Sequence, residues 1–226
     1  MTTTENYLSV ERRVQEACRR SGRDRSEVTL IAVSKTKPVE MIRELMEIGV
    51  QDFGENKVQE LCAKTEEIRE PLRWHLIGHL QRNKVKYLMD RPVALIHSVD
   101  SLRLAQEIEK EADKHGKTIP VLIEINIGQE ESKSGTTPEE APELARQILQ
   151  LPHLQLRGLM AIAPYTEDPE TNRPYFRQMR ELLQQLQAFC PPECRELSMG
   201  MTGDFEVAIE EGATLVRVGT AIFGHR

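Results

Sequence analysis

Short apolar segments alternate with amphipathic stretches from residue 30 to the end of this chain. Several of these segments are apolar without interruption, as in Val121-Leu122-Ile123, which is typical of parallel strands covered by helices on both faces. We predict eight strands, which are Leu30–Lys35, Asp52–Asn56, Trp74–Gly78, Ala94–Val99, Pro120–Ile127, Leu156–Ala163, Glu196–Gly200 and Leu215–Gly219.

The stretches between these strands have the period of amphipathic helices, with apolar stripes that should face a core. The clearest stripes are Met41, Ile42, Leu45 and Met46; Leu102, Ala105, Ile108 and Ala112; and Phe176, Met179, Leu183 and Leu186. A further helix is predicted before the first strand, with Tyr7, Val10 and Val14 on one side. Eight such repeats predict an α/β fold, a single (β/α)8 TIM barrel. An open doubly wound sheet is the alternative, although no G-x-G-x-x-G follows the first strand.

Composition narrows the class of protein. The 226 residues carry a net charge of -6, which argues against nucleic-acid binding. No apolar run reaches membrane length and no signal peptide begins the chain, so we expect a cytoplasmic protein with no membrane contact. The cysteines match no common zinc spacing, and we expect no metal; only Cys190 and Cys194 could be read as a metal or redox pair. No linker divides residues 1–226, so we expect one domain, and a monomer.

Lys35 is the first candidate for chemistry, because it ends an apolar run. Desolvation at the end of a buried strand disfavours an ammonium group, and the neutral amine is what Schiff-base formation with an aldehyde requires. The alternative is a lysine that extends from the strand end into water.

The ends of strands seven and eight are the second candidate. Both are rich in glycine and hydroxyl groups, and phosphate groups often bind there in such barrels. Strand one neighbours strand eight in a closed barrel, so Lys35 would lie beside this phosphate site. Pyridoxal 5′-phosphate (PLP) carries both an aldehyde and a phosphate and would satisfy both features.

Six motifs stand in order along the chain: Ala32-Val33-Ser34-Lys35-Thr36-Lys37, Phe53-Gly54-Glu55-Asn56, His75-Leu76-Ile77-Gly78-His79-Leu80-Gln81, Ser132-Lys133-Ser134-Gly135, Leu197-Ser198-Met199-Gly200-Met201 and Arg217-Val218-Gly219-Thr220-Ala221-Ile222-Phe223-Gly224. With them the chain resembles the pyridoxal phosphate homeostasis protein family, which is related to the fold-type III barrel domain of alanine racemase. The resemblance runs from about residue 5 to the last residue.

The resemblance implies a role for each matching residue. Lys35 would hold PLP as a Schiff base, and Arg217 would face the pyridine nitrogen. The residues implied at the phosphate are Ser198, Gly200, Gly219 and Thr220, and those implied near the ring are Asn56 and His79. The family also places Lys37 and Lys133 near the site. Simpler roles stay open: a salt bridge from Arg217 to Glu124, a strand-end cap for Asn56, a structural histidine at 79 and a solvated Lys133.

For function, the resemblance implies a PLP carrier, buffer or regulator in PLP homeostasis, with PLP-dependent apo-enzymes as candidate recipients. An amino-acid racemase is the alternative. It needs a second acid/base opposite the lysine, which in alanine racemases is a tyrosine from a separate domain. This chain ends at strand eight, and Tyr7, Tyr87, Tyr165 and Tyr175 lie in no catalytic motif. We therefore expect no catalytic residue and no efficient turnover, weak side activity aside. A sugar-phosphate isomerase would need Glu55 or Glu124 as its base.

Overall fold

Eight parallel strands close into a barrel in chain order in the computed structural model, which describes residues 2–130 and 134–224. The strands are β1 Thr29–Val33, β2 Asp52–Glu55, β3 Arg73–Leu76, β4 Val93–Val99, β5 Ile119–Ile125, β6 Leu154–Ala161, β7 Glu196–Ser198 and β8 Leu215–Val218. Pairing of β1 with β8, including Ile31 opposite Arg217, closes the ring. The predicted TIM barrel is confirmed. Apart from β4, the predicted strands run slightly too far at their carboxyl ends, where the chain turns out of the ladder.

The helices lie outside the barrel. They are α1 Thr3–Arg20, α2 Val39–Glu47, α3 Val58–Glu67, α4 Leu102–Lys114, α5 Ala141–Ile148, α6 Arg173–Gln187, α7 Phe205–Glu210 and α8 Thr220–Phe223. A 3-10 segment, Arg82–Leu88, takes the place of a helix between β3 and β4. The predicted N-terminal helix is confirmed as α1. A capping box of Thr2 and Glu5 begins it, its buried side includes Val10 and Val14, and it packs on α7 and α8.

Two separate apolar clusters hold the barrel together. The larger one lies between the strands and the helices. The smaller one comprises Ile31, Leu95, Leu122, Met160 and Leu215 on five different strands. Because side chains alternate along a strand, this second set fills the inside of the barrel. Buried polar side chains, among them Ser198 and Arg217, also lie inside the barrel and lead to the candidate site.

Within residues 2–130 and 134–224, no helix is long and apolar enough to cross a membrane. The same residues contain no cluster of three or more His, Cys, Asp or Glu side chains suited to a metal ion. The cysteines at positions 18, 62, 190 and 194 are free thiols.

Candidate cofactor-binding site

A cavity of about 540 Å³ opens at the carboxyl ends of the strands. Most of the candidate residues from the sequence analysis line this cavity, at or just after the ends of β1, β2, β3 and β8. These are Lys35, Asn56, His79, Arg217, Gly219 and Thr220. The two remaining candidates, Ser198 and Gly200, do not line it. Lys133 lies outside the described residues.

Lys35 lies in a turn rather than in the strand, because β1 ends at Val33. The turn closes where the Lys37 amide donates to the Ser34 carbonyl, 3.0 Å away. Thr36 has a φ of +62°, a strained conformation for a β-branched residue. Lys35 is half-buried, less than expected, and its Nζ makes no hydrogen bond or ion pair with any described residue. The amine is therefore held only through its backbone and is free to bond to a ligand.

A buried ion cluster lies directly beneath this turn. Lys64 Nζ donates to the Ser34 carbonyl, to Glu55 Oε1 and to Glu60 Oε1, each at 2.7 Å. Glu55 Oε1 also accepts from Ser34 Oγ at 2.6 Å, and Glu60 Oε1 accepts from the Thr36 amide at 2.5 Å. Burial raises the pKa of Glu55, although Lys64 and Ser34 oppose the shift. The cluster thus fixes the residues on both sides of Lys35 without touching the amine.

Lys37 points away from this cluster. Its Nζ donates to the Gly224 carbonyl at 3.0 Å, and it borders a second cavity that also includes Lys35 and Gly219. The structure therefore places Lys37 near the site, as the resemblance implies.

Arg217 is the most deeply buried charge at the cavity, with 3% of the residue exposed. Its NH1 donates to Ser198 Oγ at 2.5 Å and its NH2 to the Ala161 carbonyl at 2.9 Å. Burial lowers the pKa of Arg217 to about 10, so the guanidinium stays charged at neutral pH. Within the described part of the chain, Arg217 bonds to Ser198 and Ala161 and Glu124 to Ser134, and no ion pair joins Arg217 to Glu124. The salt bridge left open by the sequence is not formed.

Ser198 and Gly200 lie behind the wall of the cavity. Ser198 Oγ is fully buried between Arg217 and His97 Nδ1, which is 2.8 Å away. Gly200 has a φ of +90°, and a Cβ there would lie 2.6 Å from the Cβ of Ala208 on α7. Glycine is needed at 200 so that α7 can pack under the strand. Both residues support the site from behind the cavity wall.

Unpaired backbone amides lie at the cavity instead. Thr202, Gly203, Gly219 and Thr220 line it, and within the described residues no acceptor pairs with their N–H groups. The two loops meet where the Ala221 amide approaches Thr202 Oγ1 at 3.4 Å. Backbone amides without an acceptor, on two loops that meet, suit an anion. Of the four residues that the resemblance implies at the phosphate, Gly219 and Thr220 line the cavity, and Ser198 and Gly200 do not. The glycine- and hydroxyl-rich segment after β7 is the sequence signal for Thr202 and Gly203.

Asn56 and His79 form the wall between β2 and β3. A Cβ at Gly78 would lie 2.3 Å from the Asn56 carbonyl oxygen, so only glycine allows these loops to approach so closely. The Asn56 side chain caps no helix and makes no hydrogen bond with the described residues. His79 is 57% exposed at its side chain, and its Nδ1 lies 3.5 Å from Asp100 Oδ2. Asn56 is therefore available to a ligand, and His79 lies at the rim.

Glu124 and Tyr165 also line the cavity. Glu124 is buried; its Oε1 accepts from Ser134 Oγ at 2.8 Å, and its Oε2 has no partner within the described residues. Burial raises the pKa of Glu124. Tyr165, in the loop after β6, is 93% exposed. The sequence offers a signal for Glu124, a carboxylate within an apolar strand, but none for Tyr165.

Known proteins resemble the chain over its full length. Residues 8–226 match the family model described as alanine racemase, N-terminal domain. A pyridoxal phosphate homeostasis protein of Aquifex aeolicus is 50% identical over 227 residues, covering 100% of this chain and 99% of that protein. The chain belongs to the pyridoxal phosphate homeostasis protein family.

Solved structures agree with this assignment. PipY of Synechococcus elongatus PCC7942, whose structure was solved with PLP bound, is 38% identical, with a TM-score of 0.81 over 93% of this chain and 100% of PipY. An alanine racemase of Clostridium difficile 630 shares the fold, with a TM-score of 0.76 at 16% identity, over all of this chain and 57% of the racemase.

Proposed function

We propose that this chain binds PLP covalently through Lys35 and acts in intracellular PLP homeostasis as a carrier, buffer or regulator. One observation carries the proposal: an amine without a partner, a buried guanidinium and four unpaired amides line the same cavity. The names of the relatives and the PLP bound to PipY support the same cofactor.

The residues present fit the chemistry of PLP. When bound, the cofactor supplies an aldehyde that reacts with amines and a ring that can withdraw electrons. Lys35 Nζ would bond to the aldehyde carbon, and Arg217 would donate to the ring nitrogen. The amides of residues 202, 203, 219 and 220 would bind the phosphate, with Asn56 beside the ring and His79 at the rim. Ser198 and Gly200 would support this set indirectly.

We further propose that the protein does not turn over substrate efficiently. A guanidinium at the ring nitrogen only donates, which leaves the nitrogen without its own proton and weakens the ring as an electron sink. An amino-acid racemase is the second candidate, because Tyr165 lines the cavity. A second acid/base must be held in position, yet Tyr165 is 93% exposed and bonds to no described residue. Binding and delivery to PLP-dependent apo-enzymes in the cytoplasm therefore fit better than catalysis.

Reductive trapping tests the cofactor and its attachment point together. Protein incubated with PLP is reduced with borohydride, digested and mapped by mass spectrometry. We expect the label on Lys35 and none in Lys35→Ala. A label on another lysine, or no label on the wild type, would reject the proposal.

A separate assay tests the racemase. L-alanine or L-serine is incubated with the PLP-loaded protein, and the D-enantiomer is measured by chiral chromatography. We expect no appreciable D-enantiomer; rapid formation that is lost in Tyr165→Phe would favour the racemase instead.

A further inference from the structure

Polar side chains from five strands form a continuous line through the inside of the barrel. Arg217 NH1 contacts Ser198 Oγ at 2.5 Å, and Ser198 Oγ contacts His97 Nδ1 at 2.8 Å. His97 Nε2 lies 2.9 Å from His75 Nδ1, and His75 Nε2 lies 3.1 Å from Asp52 Oδ1. All five residues are buried. The line joins the cavity to the amino-terminal rim of the barrel, where β2 begins.

The two ends of this line fix the direction of its hydrogen bonds. A guanidinium has no acceptor, so Arg217 donates and Ser198 Oγ accepts. At the other end, Arg73 donates to both oxygens of Asp52, at 2.8 and 2.5 Å. These bonds lower the pKa of Asp52, as does the bond to His75, against a raising effect of burial. Asp52 is thus a carboxylate that can only accept. The proton in the hydrogen bond between His75 and Asp52 is therefore on His75 Nε2.

The middle of the line follows from its ends for a His75 ring that carries a single proton, which is the form that the proposal below requires. A neutral His75 with its proton on Nε2 has Nδ1 as an acceptor, so His97 Nε2–H donates to it. His97 Nδ1 is then an acceptor, and the Ser198 hydroxyl donates to it. Burial keeps the pKa of His97 well below its usual range, in keeping with a neutral ring. Each hydrogen bond in the line then has one donor and one acceptor, and each residue donates to the next one on the way from Arg217 to Asp52.

We propose that Ser198, His97, His75 and Asp52 form one directional hydrogen-bond chain that positions Arg217 for the ring nitrogen of the cofactor. The proposal rests on the function proposed above. Ser198 presents a lone pair to NH1, and the Ala161 carbonyl fixes NH2. Nε keeps no acceptor among the described residues. These four are positioning residues, since the cavity wall includes none of them.

The direction of the hydrogen bonds from Arg217 to Asp52 can be tested without any cofactor. Long-range ¹H–¹⁵N spectra of the wild-type protein report which ring nitrogen of each histidine carries the proton. We expect the Nε2–H form for both His75 and His97 at neutral pH. In Ser198→Ala, His97 loses its donor, and the nitrogen shifts of both rings should move towards a mixture of forms. An Nδ1–H ring or an imidazolium at either position in the wild type would overturn the proposal.

The positioning role is tested by titration with PLP. Hydrogen bonds to charged groups correspond to roughly tenfold or more in an equilibrium constant, so we expect Ser198→Ala to weaken PLP binding by about tenfold and to shift the absorption maximum of the bound cofactor. Ser98→Ala is the matched control, because Ser98 Oγ is buried on β4 and has no partner within the described residues. It should leave affinity and spectrum unchanged. Equal behaviour of the two variants would refute the positioning role.

A second variant covers the case in which Ser198→Ala does not fold. Asp52→Asn keeps an acceptor at the far end but removes the carboxylate that fixes the direction. We expect both histidine rings to shift and the absorption of the bound cofactor to change, although position 52 lies outside the cavity wall. Unchanged spectra would refute the proposal. Failure of the wild type to trap PLP on Lys35 would instead reject the proposed function, while the ring-nitrogen assignment would stand or fall independently.

Discussion

Lys35 and Arg217 are held in opposite ways. Lys35 is fixed through its neighbours, Ser34 and Thr36, and its amine has no partner within the described residues. Arg217 is fixed through its guanidinium, by Ser198 and Ala161. A nucleophile must be able to move towards an aldehyde and away from it, whereas a group that orients a ring must stay in place. The backbone therefore holds the first residue, and the side chain holds the second.

The supporting networks also differ in charge. Beneath Lys35, the ammonium of Lys64 lies between two carboxylates, and Glu55 Oε2 is buried without a partner among the described residues. Behind Arg217, the link to Asp52 proposed above consists of the Ser198 hydroxyl and two neutral histidine rings. Removing one ion from the first network leaves a buried charge, while removing a neutral group from the second does not. The comparison therefore predicts that a substitution in the cluster under Lys35 lowers the free energy of unfolding more than a substitution in the network behind Arg217.

The largest expected effect follows from Lys64→Met. It removes three hydrogen bonds and leaves Glu55, which is 0% exposed, without its counter-ion. We expect the free energy of unfolding, measured in urea, to fall by about 3–5 kcal/mol. Lys110→Met is the matched control, because Lys110 pairs with Glu107 on the exposed face of α4. It should lose about 0–1 kcal/mol. If both variants lost a similar free energy of unfolding, the buried cluster would stabilise the fold no more than an exposed ion pair does.

A smaller effect concerns pH and the network behind Arg217. The pKa of His97 is 6.5 when unfolded and well below that when folded, so the unfolded chain takes up the proton first. The stability contributed by a neutral His97 is therefore complete above pH 6.5 and is lost as pH falls towards the folded pKa. His97 should change the free energy of unfolding by at most about 1.4 kcal/mol per pH unit.

Urea unfolding at several pH values between about 7.5 and 5.0, which bracket the ordinary histidine pKa, measures this slope. In His97→Gln, which cannot take up a proton, stability should depend less on pH than in the wild type. The variant keeps every other histidine, so the difference between the two slopes reports on His97 and on the pair it forms with His75. Equal slopes in the two proteins would show that folding does not change the pKa of His97.

The sequence predicted the barrel and the wall of the cavity because both follow local rules. Continuous apolar runs locate the strands, and Lys35 or Gly219 follows directly from where a strand ends. Neither rule says which way a side chain bonds inside a closed barrel. Ser198 is an example: its strand position was right, yet its hydroxyl contacts Arg217 and His97 from two other strands.

The histidine pair was missed for the same reason. Trp74-His75-Leu76 and Ile96-His97-Ser98 each place a histidine within a buried strand, which signals a satisfied polar group but not its partner. The pairing depends on strand order and register around the barrel. The ion cluster under Lys35 is equally non-local, since Lys64 on α3 reaches back to the end of β1.

The smallest expected effect tests how tightly the backbone must hold Lys35. Thr36 has a φ of +62°, which costs a residue with a Cβ about 1–2 kcal/mol, and glycine avoids this but loses about 0.5–1 kcal/mol in chain entropy. Thr36→Gly should therefore raise the free energy of unfolding by roughly 0.5–1 kcal/mol. Thr118→Gly, at an exposed threonine without positive φ, should lower it. If Thr36→Gly stabilises the fold and yet slows covalent trapping of PLP, the strained turn contributes to the position of the amine. If Thr36→Gly instead lowers the free energy of unfolding, Thr36 is not strained.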